Sequence, residues 1–319
     1  MSTKGALLRA LSALDRNGSG AVEQQHLGHI LKSLNPDTWT DANLGTLFTK
    51  FAAGQGGKVQ LEEFLTFVLG TMPVEYPEVT PGSKHYALDP ESDDGKYLAK
   101  KIWWFGPKFS PKDVPAFYDV SSISEDPECF RKVIDIFVER YRGMGEKGPT
   151  HVLGYDARGF ILGPPIALEL SIPFVLFRKD AKHPGVVVES SGYSKEYAEK
   201  KLDSMCMRLG AIKPGARVLL IDDLVATGGT ALAGFELCNS CGIDVCEFAA
   251  VIDLPFCKGI EKIREYGGGR FKDVPVFTLV DGRQIPDENG RDPPNWEEES
   301  RVVPAPKARE MMAKYPDLD

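Results

Sequence analysis

Residues 217–231, RVLLIDDLVATGGTA, constrain this chain more than any other stretch. The near-continuous apolar run RVLLI is what a strand covered on both faces of a parallel sheet requires. Asp222 and Asp223 follow it, and Ala226-Thr227-Gly228-Gly229-Thr230 leads into a helix expected from about Ala231. Successive backbone N–H groups at a helix start hold a phosphate through hydrogen bonds and the helix dipole. The glycines let main chain approach that phosphate, and the hydroxyls of Thr227 and Thr230 add donors. The paired acids just before the loop can accept hydrogen bonds from neighbouring sugar hydroxyls. No Gly-Lys-Thr follows and no GxGxxG precedes, so this is neither a nucleotide P-loop nor a dinucleotide fingerprint.

The rest of the chain divides by composition. Residues 1–72 read as helices with two short Gly-rich loops, residues 73–100 as a linker rich in Pro and acid, and residues 284–319 as an extended tail with a short helix near Lys307–Lys314. Between them, residues 101–283 alternate helical stretches with the β-rich runs HVLGYDAR, PFVLFRK, RVLLIDD, FAAVIDL and VPVFTLV. That alternation predicts an α/β domain with a mostly parallel sheet.

In the N-terminal part, Leu7, Leu8, Leu11 and Leu14 recur at helical spacing before a loop-like stretch from Asp15 to His26. Asp15, Asn17 and Ser19 take loop positions 1, 3 and 5, Gly20 the sharp turn, and Val22 the β-bridge position. A second copy places Gly57, Val59 and Glu63 at positions 6, 8 and 12. The pair resembles an EF-hand module of the calmodulin type. Calcium asks for six to eight oxygens and a carboxylate at position 12. The first loop ends in His26, and the second has Ala52, Gly54 and Gly56 at ligand positions. Asp15, Asn17 and Ser19 are therefore the calcium candidates, and calcium binding is not expected. An all-α pair that docks a helix, its own or a protein partner's, is the expectation for residues 1–72.

Further segments narrow the α/β domain. Gly154-Tyr155-Asp156-Ala157-Arg158-Gly159 ends a strand and opens a helix; Phe177-Arg178-Lys179-Asp180-Ala181-Lys182 follows the next strand; Tyr193-Ser194-Lys195-Glu196-Tyr197 lies in a long polar stretch suited to a flap; Val114-Pro115-Ala116-Phe117-Tyr118 lies upstream. In this order, together with the acid pair and its loop, they resemble the adenine phosphoribosyltransferases, type I phosphoribosyltransferases that make AMP and diphosphate from adenine and 5-phosphoribosyl-1-pyrophosphate (PRPP). The resemblance spans about residues 101–281 and is closest to a longer, protist-type branch with extensions at both ends. It implies the type I fold, a central parallel sheet flanked by helices with a hood and flap.

The resemblance also implies roles. Asp222, Asp223 and Ala226–Thr230 would bind the ribose and 5′-phosphate of PRPP and AMP. Asp156, Ala157, Arg158, Gly159, Arg178, Lys179 and Lys182 would hold diphosphate, their charge stabilising the leaving group. Magnesium would sit on substrate oxygens near Asp222 and Asp223. Phe117 would stack on adenine, backbone around Val114 and Ala116 would read its edge, Glu196 would handle the N7 proton, and Tyr197 would cover the closed site. Ala157 stands where a Ser is common, and Tyr118 where shorter members carry an Arg. The resemblance implies a homodimer and a pentosyltransferase of purine salvage.

Composition sets the limits. The formal net charge of -8 gives nucleic acid and anionic membranes little to attract. No apolar run approaches a membrane span, and the N-terminus lacks a signal-peptide layout. Six cysteines suit a reducing compartment, so a cytoplasmic protein is expected; Cys238 and Cys241 read as packing thiols because no second ligand pair accompanies them. A reading of another class competes: a structural or adaptor subunit of a cytoskeletal or flagellar assembly, docked through residues 1–72, with catalysis retained or incidental. Within enzymes, another 6-aminopurine or a 6-oxopurine is the rival substrate.

Overall fold

The five β-rich runs enter one sheet. The computed structural model describes residues 21–34, 39–51, 57–60, 64, 76–106, 109–110, 116–179, 183–190, 205–291 and 303–314, and it divides into two units, Met1–Val74 and Glu75–Asp319. In the smaller unit, β1 (Ala21–Glu23) leads into α1 (Gln24–Leu34), and α2 (Asp41–Phe51) precedes β2 (Lys58–Gln60). The two strands pair antiparallel with Val22 opposite Val59. Val22, Leu27, Leu31, Leu44, Leu47, Val59 and Phe64 are buried together, a small core of the unit's own. The calcium candidates Asp15, Asn17 and Ser19, and Glu63, lie outside the described residues.

The larger unit begins with β3 (His85–Ala87), α3 (Asp93–Ala99), β4 (Trp103–Phe105), β5 (Phe117–Asp119), α4 (Ser121–Glu125) and α5 (Pro127–Gly143). There follow β6 (His151–Tyr155), α6 (Gly159–Leu170), β7 (Phe174–Lys179), β8 (Val187–Glu189), β9 (Met205–Arg208), β10 (Arg217–Val225), α7 (Gly229–Ser240), β11 (Asp244–Asp253), α8 (Gly259–Gly269) and β12 (Val276–Asp281), with α9 (Ala308–Lys314) in the tail. Eight strands form one sheet in the order β3-β12-β11-β10-β6-β7-β9-β8. The six from β3 to β7 run parallel, and β9 and β8 add on antiparallel at the edge. β4 and β5 form a separate two-stranded ribbon.

The apolar run of β10 has the predicted cause. Leu219 and Ile221 enter a core shared with α5 and α6, while Val218 and Leu220 enter the opposite core with α7. Alternate side chains thus face two different cores, which a strand at the middle of a covered sheet demands. Local signals place the helices. Asp126 caps α5 by accepting from the N–H groups of Glu128 (3.0 Å) and Cys129 (3.1 Å), with Pro127 at the first helical position. Arg140 of α5 reaches the fully buried Glu247 of β11 through Nε–H to Oε2 (2.6 Å) and Nη2–H to Oε1 (2.5 Å), and its guanidinium lies 4.2 Å from the Phe277 ring centre. Only such a bidentate, stacked partner makes a carboxylate tolerable at that depth.

Two regions differ from the sequence expectation. Residues 76–100 are not a linker: β3 pairs in register with β12, and α3 buries Leu98 in the larger core. Nor does a free tail begin at Gln284. Residues 282–291 form two single turns that pack on the domain, with Asn289 buried. The short helix expected near Lys307–Lys314 is present as α9. Cys238 is buried and Cys241 half-buried, both as free thiols, and burial pushes the Cys238 thiol up to about 12.

Candidate active site

The carboxyl ends of adjacent parallel strands are where an open α/β sheet gathers its functional groups. Here β6 and β10 end side by side, and the loops after them meet. β10 carries its acids inside the strand, with Asp222 opposite Ala250 of β11 and Leu224 opposite Ile252. Asp222 accepts from the N–H of Asp223 and Asp223 from that of Leu224, each at 3.0 Å. Burial, then the neighbouring Asp223, drives Asp222 well above the usual carboxylate range. Burial also raises Asp223, against the pull of Arg158. Two adjacent half-buried acids raised in this way favour a cation beside them.

The loop turns at Gly228, whose φ of 75° belongs to the left-handed region that favours glycine. α7 then starts at Gly229, two residues before the predicted start, with its first helical bond from Leu232 N–H to the Gly228 carbonyl (3.0 Å). The N–H groups of Gly229, Thr230 and Ala231 have no carbonyl within the helix to receive them. A feature not legible in the sequence supports the loop from behind. A Cβ on Gly259, at the start of α8, would lie 2.2 Å from the Ala226 carbonyl oxygen and 3.0 Å from the Gly228 nitrogen. Main chain therefore rests directly on main chain there.

The loop after β6 is built the same way. A Cβ on Gly154 would meet the Gly159 carbonyl oxygen at 2.4 Å, and one on Gly159 would meet the Ile221 carbonyl oxygen at 2.3 Å. The bare backbone lets α6 start against β10, which sets Arg158 beside the acids. Arg158 Nε lies 3.4 Å from Asp223 Oδ2, with the arginine side chain 43 % exposed and the aspartate 13 %. The Arg158 guanidinium carbon is 5.5 Å from the Phe117 ring centre. Arg178 Nε stands 3.6 Å from Asp156 Oδ2, tying the two loops of cations together.

A cleft of about 310 Å³ joins these groups. Its walls hold Ala116, Phe117 and Tyr118 on one side, Asp156, Ala157, Arg158 and Lys179 on the second, and Asp222 through Ala231 on the third. One rim is thus aromatic, one cationic, and one a run of backbone donors behind two acids, a combination suited to a flat base, an anionic leaving group and a sugar phosphate. Val114, Lys182, Glu196 and Tyr197 lie outside the described residues. Sequence reasoning missed Leu254, which also lines the cleft. Among the described residues no cluster of three or more His, Cys, Asp or Glu side chains is grouped to cage a metal. Two carboxylates alone fit a magnesium ion held chiefly by substrate oxygens and water.

A phosphoribosyl transferase domain model matches residues 119–278. Adenine phosphoribosyltransferase 1 of Triticum aestivum is 45% identical over 170 residues, 53% of this chain and 86% of that protein. Adenine phosphoribosyltransferase 3 of Arabidopsis thaliana is 42% identical over 173 residues, 54% of this chain and 86% of that protein. Among solved structures, adenine phosphoribosyltransferase from Leishmania donovani superposes with a TM-score of 0.67 at 41% identity, covering 76% of this chain and all of that one. The Trypanosoma brucei enzyme, in complex with AMP, pyrophosphate and ribose-5-phosphate, superposes with a TM-score of 0.66 at 41% identity, covering 74% of this chain and 99% of that one.

Proposed function

The chain belongs to the phosphoribosyl transferase family, in its adenine phosphoribosyltransferase branch, and from that premise we infer that it converts adenine and PRPP to AMP and diphosphate in purine salvage. The observation that carries this reading is the single cleft in which Phe117, Arg158 and the Asp222–Thr230 segment meet.

The reaction forms a bond from adenine N9 to the anomeric carbon as that carbon loses its oxygen bond to diphosphate. We assign the 5′-phosphate to the N–H groups of Gly229, Thr230 and Ala231 and the hydroxyls of Thr227 and Thr230, and the ribose hydroxyls to Asp222 and Asp223. Arg158 and Lys179 face the departing diphosphate, where positive charge is worth most as negative charge develops. Phe117 offers its ring face to the base. By motif, Glu196 takes the base proton. Asp222 and Asp223 are the residues that would hold magnesium; when bound, it supplies neutralising charge to the diphosphate.

The direct test incubates the full chain with PRPP, magnesium and each of adenine, hypoxanthine and guanine. AMP formation is expected, with the 6-oxopurines slower by about tenfold or more, because a site that pairs a 6-amino group leaves polar atoms unpaired against a 6-oxo group. No AMP from a folded chain would refute the reading. Turnover by residues 75–319 alone is expected to match the full chain.

For the smaller unit we propose an EF-hand-like pair that docks a protein partner; the Val22–Val59 bridge between its two halves and its separate core support this. A homodimer is the proposed assembly, supported by exposed Ile161 and Leu168, seven residues apart on one face of α6. Sedimentation is expected at twice the 35.1 kDa of one chain, with Leu168→Glu shifting it toward the single chain. Wild-type sedimentation as a single chain contradicts the proposal.

A further inference from the structure

The wall that carries Phe117 is assembled from parts of the chain beyond the matched family domain. That domain covers residues 119–278, whereas Phe117, Tyr118, β4 and residues 284–291 all fall outside it. Among the described residues β5 pairs only with β4, with Trp104 opposite Tyr118 and Phe105 opposite Phe117. A two-stranded ribbon holds its geometry poorly unless something packs on it.

The segment after β12 does that. The Arg291 N–H donates to the Trp104 carbonyl (2.9 Å), and the Trp104 indole Nε1–H donates to the Pro286 carbonyl (3.2 Å). Gly290 lies flat on the same indole: a Cβ there would sit 2.9 Å from Cζ2. The Arg291 guanidinium carbon stands 5.1 Å from the Trp103 ring centre. Asn289 anchors the segment. It is 6 % exposed, and its side-chain Nδ2 donates to the carbonyls of Ala99 (3.0 Å) and Ile102 (2.9 Å), the end of α3 and the residue that enters β4. One NH₂ group satisfies two buried carbonyls at once, which neither Ala nor ionised Asp can do. The amide orientation follows from its partners, both of which only accept.

We propose that Asn289 is a positioning residue for the purine subsite: it fixes where β4 begins, and β4 fixes Phe117 through the ribbon. This rests on Phe117 being the adenine wall. It gives residues 284–291 a role in substrate binding, on the purine side rather than at the phosphate loop.

The test measures steady-state kinetics of full-length Asn289→Ala and Trp104→Phe, varying adenine and PRPP separately. For Asn289→Ala, the adenine KM is expected to rise about tenfold, with kcat and the PRPP KM within about twofold of wild type. Trp104→Phe, which removes one hydrogen bond of the strap, should move the adenine KM the same way by less. Asn289→Asp keeps the shape without the donors and should match Asn289→Ala. An unmoved adenine KM, or equal rises for adenine and PRPP, overturns the proposal. If Asn289→Ala fails to fold, Trp104→Phe decides alone by the same criterion. A wild-type chain without adenine turnover would sink the functional reading and this one with it; normal wild-type turnover beside an unmoved adenine KM sinks this one alone.

Discussion

Replacing Asp222 and Asp223 together with asparagine is expected to lower kcat/KM for PRPP by about 10³-fold or more while raising the melting temperature. The two halves of this result have one cause. Both acids sit half-buried beside each other, and desolvation raises both above their ordinary range. A carboxyl whose folded pKa is raised binds its proton more tightly when folded. The fold is therefore relatively most stable below the unfolded value near 4, and loses stability as pH rises through the raised folded value. At neutral pH the pair thus strains the domain. Asparagine keeps the shape and removes the charge, so a melting temperature higher by roughly 2–4 °C is expected for a unit of this size. Losing the contact of Asp223 with Arg158 subtracts little, because that pair is long and its arginine half-exposed. The catalytic loss follows from the proposed role of the two acids as charged acceptors for the sugar hydroxyls. Calorimetric melting and initial rates on the same preparation check both. A lower melting temperature with unchanged turnover would mean that the acids are structural.

The second large effect is expected at Gly259, which the proposed chemistry never touches. Gly259→Ala should raise the PRPP KM by about 10²-fold and leave adenine affinity near its wild-type value. The added carbon would fall 2.2 Å from the Ala226 carbonyl oxygen, so one of the two backbones must give way. α8 is held by Ile263 in the core and by Arg264, which donates to the carbonyls of Ser83, Lys84, Phe271 and Val274. The loop, with exposed Thr227 at its tip, yields more easily. Its N–H groups would then miss the phosphate we assign to them. Equilibrium binding of PRPP to the variant provides the measurement. Wild-type affinity would show that the loop adapts, and the assigned phosphate site would fail with it.

Much of this site can be read from residue order, and the reasons are local. β10 announces itself because a strand covered on both faces needs apolar side chains at every position, and the acids and glycines beyond it follow without a gap. The cations of the β6 and β7 loops are visible as strand ends. What escapes is whatever depends on distant approach. Gly259 looks like an ordinary glycine after Lys258 until Ala226 is seen against it. β3 is three residues long, too short for a period to register among the prolines and acids around it. Asn289 sits in a polar stretch whose composition resembles a solvated tail, and nothing local distinguishes a buried amide from an exposed one. Glu247 likewise reads as a surface residue until Arg140 reaches it.

The strap also imposes an order in time. Asn289 lies 190 residues beyond Ala99, the carbonyl it holds. A ribosome delivers the ribbon and the phosphate loop well before it delivers the brace of the ribbon. On the proposed roles, a polypeptide ending near Gln284 would carry the phosphate loop without a settled place for the nucleobase. Such a product is expected to bind adenine weakly, as Asn289→Ala is, until the strap is in place.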